Sequence, residues 1–158
     1  MTYKELFDRW GLTSLRVNLN FIETEFVPTA ADREAAWEMY VEMITRIVTQ
    51  PLESNQGDEK AALSSIFSLF PSTREILRAR GRKAQSFTKI AVVVLNQLVR
   101  PFTAKWHKES LDGAFDDPAR CRQFRSELAE LQEYLRRYAA LLADLAEVED
   151  ITDLQMAS

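Results

Sequence analysis

The chain has 158 residues, 46% of them hydrophobic and 28% charged, with a net charge of −4, one cysteine and one histidine. Those totals describe an ordinary globular protein and exclude a disulfide framework, a Cys/His metal centre and a highly charged disordered chain. Four glycines and five prolines leave few turns, which favours a few long helices over many short strands.

The charge is unevenly placed. Residues 1–73 carry 6 basic and 11 acidic side chains, residues 74–125 carry 12 and 5, and residues 126–158 carry 2 and 8. A basic middle between acidic flanks can neutralise itself where antiparallel helices bring the signs together. Left open, it would face an acidic partner or nucleic acid. The N-terminus lacks the basic-then-apolar pattern of a secretory signal. The longest apolar run, residues 90–95, falls far short of the ~20 residues that span a bilayer. The expected location is the cytoplasm, away from any membrane.

In chain order, residues 2–10 read as a short helix stopped by Gly11. From Leu15 to Phe21 apolar and polar residues alternate strictly, a strand signal with no second strand to pair it. The favoured reading is an extended arm across a helical bundle. An edge pairing with a second copy and a misjudged helix are the alternatives. After a loop at 28–32, a helix over about 31–50 turns Trp37, Tyr40, Val41, Ile44, Ile47 and Val48 inward and ends at Pro51. Glu34, Glu38 and Glu42 lie on its other face, with Arg46 completing the ladder. A polar loop over 52–57 leads to Asp58, which caps a helix carrying Leu63, Ile66, Phe67 and Phe70. Pro71 is expected to break that helix, and Ser72 with Glu75 to open the next as a capping box. Gly81 then stops it.

A long helix over 82–108 follows, with Phe87, Ile90, Ala91, Val94, Leu95, Leu98 and Val99 inward. Pro101 predicts a kink or break, because it lacks the N–H that would reach the Gln97 carbonyl. Phe102 and Trp106 continue the apolar face. A turn at 110–116 contains Gly113, and Asp117-Pro118 starts the last helix. That helix, over 118–149, carries the sharpest pattern. Cys121, Leu128, Leu135 and Leu142 recur every seven residues, as do Phe124, Leu131, Tyr138 and Leu145. Such a seam packs against other helices. Cys121, Phe124 and Tyr138 suit a two-stranded coiled coil poorly, and Leu141 widens the stripe, so a bundle inside one molecule is preferred to a coiled coil between molecules. Thr152 caps a last turn.

The expected fold is an all-α bundle of about five helices in one domain. Residues 1–28 form an N-terminal helix and a partly extended arm, and residues 29–150 form the bundle.

Chemistry is sparse. The glycines at 11, 57, 81 and 113 are isolated, so no phosphate loop is present. Glu38 and Glu42 share a face as in di-iron sites, but one histidine cannot complete such a set. His107 is the sole candidate general base, with no activated nucleophile near it in sequence. Cys121 sits on the apolar seam. The residues left for partner binding are the basic run Arg74, Arg78, Arg80, Arg82, Lys83 and Lys89 and the acidic ladder Glu34, Glu38 and Glu42. Trp10, Trp37 and Trp106 are expected in the core, and Tyr3 and Tyr134 outside it. The stretches 35–40 and 100–107 resemble segments of uncharacterised bacterial helical proteins, some from defence gene neighbourhoods. The function expected is a non-enzymatic protein–protein interaction module, such as an adaptor, accessory or regulatory subunit of a bacterial complex, binding another protein or a second copy. Nucleic-acid or nucleotide binding through 74–89 is the alternative. No cofactor, metal or catalytic residue is expected.

Overall fold

The computed structural model describes residues 1–53 and 57–154, so the loop expected at 52–57 lies partly outside the described residues. The fold is all-α. The helices are α1 (Tyr3–Arg9), α2 (Leu19–Ile22), α3 (Ala30–Ile44), α4 (Glu59–Phe67), α5 (Leu69–Arg80), α6 (Gln85–Val94), α7 (Arg100–Leu111) and α8 (Pro118–Leu145). Extended pairing among the described residues amounts to one antiparallel bridge between Thr2 and Glu25.

The C-terminal helix is an inner stave, as its heptads imply. Asp117 accepts the Ala119 amide, and Pro118 fills the first helical position, where an N–H has no intrahelical partner. Seven of the eight seam residues are buried, as is Leu141, and Cys121 at the start is half-buried. α3 packs along this helix. α8 stops at Leu145, short of the expected Glu149. The reason is a left-handed turn at Glu147, φ 60°, closed by bonds from Glu147 N to Asp144 O and Val148 N to Ala143 O. Glycine usually occupies that position, so the stop carried no sequence signal.

α3 begins with a reciprocal cap. Thr29 Oγ1 accepts the Asp32 amide at 3.2 Å, and Asp32 Oδ2 accepts the Thr29 amide at 2.7 Å. The helix ends at Ile44, six residues before the expected Gln50. Gln132, buried on α8, takes over there. Its Nε2 donates to Ile47 O at 2.5 Å and to Gln50 O at 2.7 Å, so these carbonyls are satisfied from α8 and not by further helical turns.

Pro71 does not break a helix. It stands in the first turn of α5, where its missing N–H is harmless. The Ser72–Glu75 capping box therefore does not form. Ser72 is inside the helix, and its hydroxyl donates to Glu42 at 3.4 Å. Asp58 caps α4 by accepting the Lys60 amide.

Pro101 does not end the helical run. α6 passes into α7 through a π-helical turn, Leu95–Val99, in which Arg100 N–H bonds to Leu95 O. Bonding five residues back shifts the ladder at the point where proline cannot donate. Gln97, in that turn, reaches the N-terminal arm. Its Oε1 accepts the Arg16 amide at 2.6 Å, and its Nε2 donates to Arg16 O. One side-chain amide thus pairs a backbone segment much as a neighbouring strand would. The arm buries Leu12 and Leu15. The alternation ends at Asn18, which accepts the Asn20 amide and starts the turn of α2; Leu19 is left 73% exposed. Residues 19–21 are therefore helical, correcting the extended reading.

Candidate functional site

α3 carries two overlapping apolar stripes, and the core takes Tyr40 and, beyond the helix, Val48 as expected, with Ile44 and Ile47 packed against it, but not Trp37 or Val41. Ala35, Ala36, Met39, Tyr40 and Met43 are buried. Trp37 and Val41, expected inside, are 48% and 36% exposed. The alanines explain the choice, because small side chains let α3 approach its neighbours closely. Tyr40 is anchored at its polar end. Its hydroxyl donates to Asp150 Oδ1 at 3.0 Å and accepts the Ile151 amide at 2.7 Å. Burial holds that phenol above its usual range.

Trp37 and Val41 face α5 across a groove of 430 Å³, with Ile76 and Ala79 opposite and Glu38, Glu42, Ser72 and Glu75 along the sides. Two members of the acidic ladder, Glu38 and Glu42, thus border the groove. Arg80 pairs with Glu38 at 2.8 Å and with Glu34 at 3.5 Å. Those carboxylates hold its guanidinium even further up than usual. Arg46 pairs with Glu42 and reaches Ser68 and Ser72. Glu75 is exposed and has no ion-pair partner among the described residues.

The basic run is divided. Arg80 is engaged with the ladder, while Arg74 and Arg78 are exposed on α5. Arg82, Lys83 and Lys89 border a separate hollow of 330 Å³ at the start of α6, shared with Tyr3, Asp32 and Ser86. There the Lys89 ammonium lies 5.8 Å from the Tyr3 ring and 5.7 Å from the Phe21 ring. Tyr3, expected outside, is 2% exposed, and burial raises its phenol. Tyr134 is half-buried.

The remaining candidates have structural surroundings. Trp106 is in the core as expected, and its indole N–H donates to Glu127 Oε2 at 2.6 Å. Burial would raise the Glu127 carboxyl, but bonds from Lys105 and Trp106 outweigh it and hold the group below the usual carboxylate range. Trp10 is half-buried. Phe67, expected inside, is 44% exposed and meets the exposed His107 ring edge-on at 5.1 Å. The Cys121 thiol donates to Phe115 O, and burial followed by the Glu59 charge pushes its pKa up, which disfavours a thiolate. Among the described residues no three His, Cys, Asp or Glu side chains come together as a metal site. No helix there is long and apolar enough to cross a membrane. A larger hollow, 570 Å³, lies on the outer side of α8 and is lined by that helix alone.

The chain has no significant match among protein-family models, curated proteins or solved structures. The sequence signal for the groove was available in the excess of apolar residues on α3. A helix with more apolar surface than one core face can use has a second face to cover.

Proposed function

We propose that this chain is a non-enzymatic protein–protein interaction module, an adaptor or accessory subunit that seats its partner in the groove between α3 and α5. One observation carries the reading: a tryptophan half in water and a valine about a third exposed stand four residues apart on a helix whose other side is core. Tryptophan is the residue type most enriched at binding hot spots, and here it is bordered by polar side chains that can form a rim. Nucleic-acid binding through 74–89 has less support. Its central cation, Arg80, is already paired with two carboxylates, and the other basic side chains divide between α5 and the start of α6.

The test is photo-crosslinking. Trp37 is replaced by benzoyl-phenylalanine and irradiated in lysate of the cells that encode the chain. A discrete adduct, identified by mass spectrometry, is expected. The same label at Leu111, which is 89% exposed on α7, is expected to give none. No adduct at 37, or the same products at both positions, would refute the docking face.

A further inference from the structure

We infer that the occupant of the α3–α5 groove is an amphipathic helix with basic residues beside its apolar stripe. This rests on the groove being the docking face, and it adds what docks.

Shape gives the first argument. Both walls are helices. Trp37 and Val41 are four residues apart on α3, and Ser72, Ile76 and Ala79 follow at four and three on α5. Side chains at these spacings form ridges with a furrow between them, which is what a third helix packs into. The α5 wall runs about 10 Å, two helical turns, and so admits apolar anchors at i, i+3 or i+4, and i+7. Capture of an extended peptide by strand addition would need an open sheet edge, and the described residues contain no strand.

Charge gives the second. Every ionisable side chain lining the groove is a carboxylate: Glu38, Glu42 and Glu75. Arg80 and Arg46 pair with Glu38 and Glu42, while Glu75 has no ion-pair partner among the described residues. Bringing an acidic helix here would set like charges together, and a neutral one would leave Glu75 without a partner at the rim. Arginine or lysine flanking the apolar anchors answers both, and the exposed face of Trp37 attracts the same cations.

The probe is a displayed library of 18-residue amphipathic helices. The apolar stripe is fixed, and the flanking positions vary among Arg, Lys, Gln and Glu. Binders are selected on the full chain and counter-selected on Trp37→Lys. Arg and Lys are expected to be enriched at least fivefold over Glu at the flanking positions. With Glu75→Lys as target, an exposed change that keeps the fold, the preference is expected to shift toward Glu. No selected binders, or binders without charge preference, would overturn the inference. So would a concentration-dependent dimer in sedimentation that Trp37→Lys abolishes, since the occupant would then be a second copy. A specific adduct at position 37 alongside any of these failures would keep the docking face and discard the basic helix.

Discussion

Leu135→Asp is expected to abolish cooperative unfolding. Leu135 is fully buried at the middle of α8, which is lined by seam residues above and below it. A carboxylate there would have neither water nor a cation, and an unpaired buried charge costs several kcal/mol even after the structure relaxes. Domains of this size are stable by only about 5–15 kcal/mol, so one such change removes most of the margin. Thermal melting followed by circular dichroism reads the result directly. A sloping trace without a transition is expected. A sigmoidal melt near that of the parent would take Leu135 out of the core and would undo the placement of α8.

Asp32→Ala is expected to lose about 3 kcal/mol in urea unfolding, because a single carboxylate serves two helix starts. Asp32 is fully buried. Its Oδ2 accepts the amide and hydroxyl of Thr29 at the start of α3, and its Oδ1 accepts the Phe87 amide at 2.8 Å at the start of α6. α6 has no side-chain cap of its own, so Asp32 acts as that cap from another helix. Alanine would leave the buried Phe87 amide and the part-buried Thr29 amide without their acceptor. Asparagine keeps one accepting oxygen and is expected to fall between parent and alanine. A loss under about 0.5 kcal/mol for Asp32→Ala would mean that water satisfies these amides as well as the carboxylate does.

The contrast between these two residues shows what could be read in advance. Leu135 belongs to a seven-residue repeat, and the Asp117-Pro118 start is a signal within two adjacent residues, so α8 was legible. Asp32 looked like a loop residue, because its second partner lies 55 positions away. Distance in sequence hid the other corrections too. The end of α3 is set by Gln132 on α8, and the path of the arm by Gln97. Pro71 was ambiguous for a different reason: the same residue type that stops one helix also suits the first turn of another. On α3 the apolar pattern was real, but two stripes overlapped, and only packing against α8 decides which is inside. The acidic ladder was visible as a ladder, and that Arg80 would answer it was not. The groove was thus legible as ingredients, an apolar excess and a row of carboxylates, and not as a place.

The central claim is that Trp37 belongs to the surface of a folded bundle and is spare for binding. The most direct measurement is the urea unfolding free energy of Trp37→Lys. An indole already half in water should be replaced by lysine at a loss of less than about 1 kcal/mol, with cooperativity intact. A loss of about 3–5 kcal/mol, the range for removing an aromatic side chain from a core, would return the Trp37 stripe to the interior and remove the docking face with it.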